Sequence, residues 1–398
     1  AIGTYLLAFF FCGSLPAMVL EPQGSVSHQI EVQHPGIEEN TAQSYTLLQD
    51  LNDLGHPIGY SIEVDSVVCA EGYCKIVTVQ ISWDALGNYK SYSVVEGSFL
   101  EKALIPDDNM TPKKNVAEDA SSEQNQGWTA FTEEDHAKLH QILGDPSSIL
   151  KDLQLAELTG YRDKSRVDAM SGATPLTVKE SVVQGAALSS YHLWHWANGD
   201  VVTIARELTH QNCGEEQLLE FLASDNSQYM LFALEHLHRY QVLNASIVPA
   251  VIEMMIRGQN SLLDSGLAYL RLAFPDENDL YAVLSRIFET ARSDTRIQLL
   301  RLLEPELKNS AFKLDTLSSA LAKTDSYREL HLFLGLAEQH DKVSEQILKQ
   351  AARFLESDNF FMARRAYWFL EKLRLDEQLM SQIEAFRNKC KNENRILN

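Results

Sequence analysis

From about Pro175 onward almost every segment of this chain carries a helical period, whereas the strand-like alternation lies wholly before it. That asymmetry predicts a sheet-bearing region followed by an all-helical one, because periods of 2.0 and 3.6 residues seldom serve the same face. Segments of helical length recur at Glu215–Ala223, Ser227–Tyr240, Ile247–Arg257, Asp279–Arg292 and Val343–Glu356. Two stretches resemble each other. Phe221-Leu-Ala-Ser-Asp-Asn226 is followed by Leu234-Glu-His-Leu237, and Phe354-Leu-Glu-Ser-Asp-Asn359 by Leu370-Glu-Lys-Leu373, the second pairing needing a gap of three residues. Helix pairs joined by Ser-Asp-Asn turns predict a stacked α-solenoid, with an irregular bundle as the alternative.

Upstream, the residues suggest a small α+β domain. Ser61 to Trp83 alternates as strands, with Ile62 and Val64, then Val77, Val79 and Ile81. Asp84-Ala-Leu-Gly87 reads as a turn and Tyr89 to Val95 as a further strand. Glu21 to Asn40, polar and carrying Pro22 and Pro35, reads as a linker, and Ser44 to Leu54 as a short helix. Ile105 to Gly127 is polar and weakly patterned, the mark of a long loop. Thr132 opens a helix to Leu143 with a capping-box pattern, Ser147 to Leu158 reads as another, and one long helix is expected from about Pro175 to Ala197.

The first twenty residues contain no charge, and Ile2 to Cys12 is a dense apolar run. This segment is read as a secretory signal or N-terminal anchor. Cys12-Gly13-Ser14 offers a lipoprotein attachment site, against which stands Phe11, where a small residue is expected. With 398 residues, 45% of them hydrophobic, the chain is long enough for more than one core. The expected layout is therefore a signal or anchor at 1–20, a linker at 21–40, an α+β domain at 41–199 and a helical-repeat domain at 200–398. A formal charge of −21 repels phosphate backbones and argues against nucleic acid as a partner.

One short stretch carries chemistry: Val167-Asp168-Ala169-Met170-Ser171-Gly172-Ala173-Thr174. Gly172 and Ala173 have almost no side chain, so backbone N–H groups can approach an anion closely. Thr174 followed by Pro175 suits the N-cap and first position of a helix. A phosphate on Thr174 would then lie at a helix N-terminus, with Lys179 adding a cation near the first turn and Asp168 accepting loop N–H bonds. The pattern Asp-x-x-Ser-Gly-Ala-Thr resembles the attachment site of the covalent-FMN domain in subunits of Rnf-type and sodium-pumping NADH:quinone oxidoreductases. The resemblance covers roughly residues 166–183 and departs from the family at Pro175-Leu176, which intervene before Thr177.

The resemblance implies FMN held as a phosphoester on Thr174, with Asp168, Ser171, Gly172 and Ala173 shaping the loop. It also implies a separate Mg-dependent flavin transferase acting after export, in which the threonine hydroxyl attacks the pyrophosphate of FAD. The chain would then be that enzyme's substrate and an exported, periplasmic electron carrier serving a redox partner, a membrane quinol-side complex or another exported reductase, rather than a stand-alone enzyme. The helical part would be HEAT-like and dock that partner. Two rival functions stand beside it: an interaction scaffold with a vestigial flavin domain, and a flavin enzyme reducing a small substrate.

Tyr191-His-Leu-Trp-His-Trp196 offers aromatics to pack on an isoalloxazine ring and His195 to bond its edge; ordinary core packing is the favoured reading of the run, since aromatics are common in cores. His136 and His140, spaced i, i+4, lack the companions that a metal site needs, and no metal is expected. The cysteines are Cys12, Cys69, Cys74, Cys213 and Cys390, with no haem-attachment, Walker A or dinucleotide-binding motif. Cys69 and Cys74 flank Ala70-Glu-Gly-Tyr73 between Val-rich runs, a hairpin pattern that brings them opposite one another. A Cys69–Cys74 disulfide is expected in an exported protein, the alternatives being free thiols or a redox pair.

Overall fold

A computed structural model describes residues 24–35, 42–70, 73–95, 131–153, 180–184 and 186–397. The apolar N-terminal run, the polar stretch 105–127 and the Asp168–Thr174 motif lie outside the described residues. The chain divides into two compact units, residues 1–213 and 214–398.

The first unit is built on an antiparallel meander of five strands in sequence order: β1 Gly24–Gln33, β2 Ala42–Leu51, β3 Pro57–Ala70, β4 Tyr73–Asp84 and β5 Tyr89–Val94. The alternation expected from the sequence sets the buried face. Tyr60, Ile62 and Val64 of β3 oppose Trp83, Ile81 and Val79 of β4, all buried, while Glu63 and Asp65 are exposed. At the β4–β5 turn the Asp84 carboxylate accepts from the backbone N–H groups of Leu86 and Asn88 at 2.8 and 2.9 Å. Gly87 takes φ +81°, the left-handed region that favours glycine.

Two strands replace other expectations. The stretch read as a linker contains β1, where only Ile30 and Val32 are buried and their neighbours face out. Two apolar residues make too short a period to recognise, and β1 is fixed by its ladder to β2. The expected helix at 44–54 is β2 through Leu51: its leucines fit a helical spacing, but ladders on both sides impose the extended form.

Among the described residues of this unit are three α-helices: α1 Glu133–Leu143, α2 Ala187–Asn198 and α3 Asp200–Asn212. α1 has the expected capping box, in which Thr132 accepts from Asp135 N and the Asp135 carboxylate accepts from Thr132 N. In place of a helix at 147–158 there is a single 3-10 turn at Ile149–Lys151 among the described residues. The long helix expected from Pro175 to Ala197 is broken. Residues 181–184 are not helical, and the Ser190 hydroxyl accepts from Val183 N at 3.0 Å while donating to Ala186 O at 2.9 Å. Val182, Val183 and Ala186 at this closure are buried in the core.

α3 belongs to the first unit, so the boundary falls after Cys213 rather than after Gly199. Its Val201 and Ala205 join the sheet's core. A Cβ on Gly87 would come within 2.9 Å of the Val202 carbonyl oxygen. A polar thread also binds α3 to the sheet. Gln49 Nε2 donates to the Tyr60 hydroxyl at 2.9 Å, Tyr60 pairs with Thr209 Oγ1 at 2.7 Å, and Thr209 donates to Ala85 O at 2.5 Å.

The second unit is all helical among its described residues: α4 Glu215–Ala223, α5 Ser227–Tyr240, α6 Ile247–Arg257, α7 Leu263–Ala273, α8 Glu277–Thr290, α9 Ser293–Leu302, α10 Glu304–Asn309, α11 Ala311–Thr316, α12 Tyr327–Ala337, α13 Glu345–Arg353, α14 Phe360–Leu370 and α15 Glu377–Asn392. They stack in two layers. α4, α6, α8, the 3-10 turn Ser318–Lys323, α13 and α15 follow one another in one layer; α5, α7, α9, α12 and α14 do so in the other. Helices of the second layer begin at Ser227, Leu263, Ser293, Tyr327 and Phe360, 30–36 residues apart.

The two Ser-Asp-Asn turns recognised in the sequence have one geometry. Ser224 Oγ accepts from Asn226 N and Ser357 Oγ from Asn359 N, and each asparagine caps the next helix through its side-chain oxygen. Side chains one repeat apart lock neighbouring pairs. Arg296 Nε and Nη2 reach Glu329 at 2.6 and 2.9 Å, with both side chains buried and Ser293 and Thr324 hydroxyls also donating to the carboxylate.

Candidate functional site

Of the residues that the sequence marks for cofactor binding, Asp168, Ser171, Gly172, Ala173, Thr174 and Lys179 lie outside the described residues. His195 is described, on α2. That helix is buried on nearly every side, as a helix apolar all round must be. It packs on β3 and β4, on α1 and on the 3-10 turn at 149–151.

Buried indoles fix the pose of α2. Trp83 Nε1 donates to Ala197 O at 2.7 Å and Trp194 Nε1 to Asp145 O at 2.9 Å, while Asn198 Nδ2 reaches Leu143 O at 3.0 Å. Helical spacing then sends the two histidines to different neighbourhoods. His195 lies against the rings of Tyr191 and Trp194, with centroids at 4.3 and 5.0 Å, and bonds the Leu150 backbone. Burial lowers its pKa below the usual imidazole range.

His192 and Trp196, one turn apart, share another face with residues from the sheet. The ring of His34, just after β1, meets His192 edge-on at 6.2 Å and Trp196 at 5.5 Å; Tyr45 of β2 meets Trp196 at 4.9 Å. His34 Nε2 bonds the Asp65 carbonyl of β3 at 3.1 Å. His192 is 3% exposed and Trp196 1%. Neither ring nitrogen of His192 has a hydrogen-bond partner, nor does Trp196 Nε1 or the buried hydroxyl of Ser66 on β3. Desolvation first, then the nearby His34 and His195, push the His192 pKa down to about 4. At neutral pH it is an uncharged imidazole with one donor and one acceptor.

The sequence marks Tyr191–Trp196 as a place for aromatic packing and singles out His195. It gives no sign of His34, in the supposed linker, or of Tyr45, in the supposed helix, because a meander brings them to α2 only once β1 and β2 are strands.

His136 and His140 find partners other than a metal. Their Nδ1 atoms hydrogen-bond the hydroxyls of Tyr92 and Tyr89 at 2.8 and 2.9 Å, joining α1 to β5. Among the described residues, no group of three or more histidine, cysteine or acidic side chains is placed to hold a metal ion. Nor is any described helix long and apolar enough to cross a membrane. Cys69 stands directly opposite Cys74 in the β3–β4 backbone register, and Ala70 opposite Tyr73. No family model, curated protein or solved structure matches the chain.

Proposed function

We propose that this protein is an exported flavoprotein that carries FMN covalently on Thr174 and transfers electrons to or from a redox partner. The observation that carries this reading is the Asp168–Thr174 motif, which matches the fixed positions of the covalent-FMN attachment pattern. The α+β architecture of the unit in which the motif falls is consistent with a flavin-carrying domain. Bound FMN would supply one- and two-electron chemistry; the chain would supply attachment, access and the polarity around the ring. Asp168, Ser171, Gly172, Ala173 and Lys179 would hold its phosphate.

The partners in this reading are a flavin transferase, which loads the chain after export, and a redox protein, membrane-bound or exported, that meets the helical unit. The two-layer stack supports docking, because solenoids expose long surfaces for proteins. Its spacing of 30–36 residues is shorter than the 40–47 of HEAT units, so the helical part is proposed as HEAT-like only in its two-layer stacking. The same stack supports the second reading, a scaffold whose flavin domain is vestigial.

The deciding experiment is to export the protein from a host with an active flavin transferase and view the denatured band under ultraviolet light. A fluorescent wild-type band and a dark Thr174→Ala band are expected. A dark wild-type band beside a flavinylated control protein favours the scaffold, and a fluorescent Thr174→Ala band places the flavin elsewhere.

A further inference from the structure

The five-stranded sheet has β1 at one edge and β5 at the other. At the β5 edge, α1 is tied on by the Tyr89–His140 and Tyr92–His136 hydrogen bonds. Among the described residues, no strand pairs with the outer edge of β1. The hydrogen bonds of Gly24–Val32 all run to β2: the backbone ladder, His28 to Gln49 at 3.0 Å, and Gln29 with Thr46 and Ser44 at 2.9 and 3.4 Å. The outward N–H and C=O groups of β1 are therefore open to another extended chain.

Natural edge strands are usually blunted by lysine, proline, a bulge or short length, because an open edge pairs readily. β1 has none of these devices. It is 10 residues long, and GSVSHQIEVQ contains no lysine, arginine or proline and one carboxylate, Glu31. Its register to β2 is uninterrupted, whereas the β2–β3 and β4–β5 ladders each shift. On its core side, Val26 stands in line with the buried Ile30 and Val32 and yet is 43% exposed.

The strand is also complementary to itself. Laid antiparallel on a second copy about Gln29, it sets Val26 against Val32, His28 against Ile30, Ser27 against Glu31 and Ser25 against Gln33, each pair twice by symmetry. Core-side residues then meet core-side residues, no two charges of one sign are opposed, and Val26 gains the aliphatic cover that it lacks in the monomer. A foreign extended peptide could use the same edge, but only a second copy satisfies two open edges and two exposed valines at once.

We propose that two copies of this chain associate by antiparallel β1–β1 pairing about a two-fold axis at Gln29, joining their sheets into one. This surface is separate from the flavin motif and does not depend on it. A ribbon one strand wide and about 30 Å long buries less than the roughly 1,600 Å² of a standard interface, so the dimer is weak and concentration-dependent.

The test uses the full chain in sedimentation velocity from about 5 to about 500 μM. Wild type should pass from monomer to dimer across that range. Val26→Lys puts an ammonium group into both Val–Val contacts at a position that tolerates water in the monomer; it should weaken the dimer at least about tenfold with an unchanged melting temperature. Leu54→Lys, equally exposed but in the β2–β3 turn, should leave association as in wild type. A second measurement does not depend on weakening anything. Gln29→Cys, which the axis sets against itself, should give a disulfide-linked dimer with diamide beyond the wild-type background, whereas Ser25→Cys, set against Gln33, should not. A wild type that stays monomeric throughout would overturn the proposal. So would a dimer that Val26→Lys leaves intact, or cross-linking of Ser25→Cys as readily as Gln29→Cys, since association would then use another face.

Discussion

His192 ties stability to pH in a way that can be worked out beforehand. Burial holds its folded-state pKa at about 4, against 6.5 for an ordinary histidine. Above 6.5 both the folded and the unfolded chain carry the neutral ring, and the stability is fully present. As pH falls below 6.5 the unfolded chain takes up a proton that the folded one refuses, and stability drains away until the folded pKa is reached. A gap of roughly two and a half pH units, at about 1.4 kcal/mol each, amounts to about 3 kcal/mol. His195 shifts in the same direction, so the effect of His192 is isolated by comparing wild type with His192→Phe. The assay is urea unfolding followed by tryptophan fluorescence, which weights the first unit because four of the five tryptophans lie before residue 213. Between about pH 7 and pH 4 the wild type should lose about 3 kcal/mol more than the variant. Parallel curves for the two proteins across that window would refute the claim that His192 is held neutral by burial.

Three further outcomes follow from the packing. Glu329→Leu should destabilise the second unit by about 3–5 kcal/mol in thermal or denaturant unfolding, because it strands the buried Arg296 guanidinium. Adding Arg296→Met should recover most of that loss, and a double variant as damaged as the single one would contradict the account. Cys69 and Cys74, opposed in the β3–β4 register, should appear as one disulfide-linked peptide under non-reducing mapping of protein exported into an oxidising compartment; two alkylated cysteines would end that expectation. A chain ending at Cys213 should resist protease, whereas one ending at Gly199 should be digested quickly, since it loses Thr209, Val201 and Ala205 from the first core; equal resistance would move the boundary back.

Features whose causes are local could be read directly from residues. The β3 and β4 alternation, the turn at Asp84–Gly87, the Thr132 capping box and the paired Ser-Asp-Asn caps each arise within a few residues, and the structure has them where expected. The Thr174 motif likewise belongs to the sequence alone, as its residues lie outside those described. Tertiary structure decided what depends on distant partners. Gly24–Gln33 is a strand because β2 pairs with it, and the leucines of β2 abandon their helical spacing because β1 and β3 flank them. Residues 181–184 leave the helix as Ser190 closes on Val183 and Ala186. α3 joins the sheet through Thr209, Val202 and the Gly87 turn rather than opening the helical stack. His192, not His195, meets the ring of His34, since which histidine faces the sheet depends on the angle at which α2 is held by Trp83, Trp194 and Asn198. Hydrogen bonds and burial set between residues far apart in sequence leave no periodic trace in it, so only the packing shows which distant side chains meet in the core.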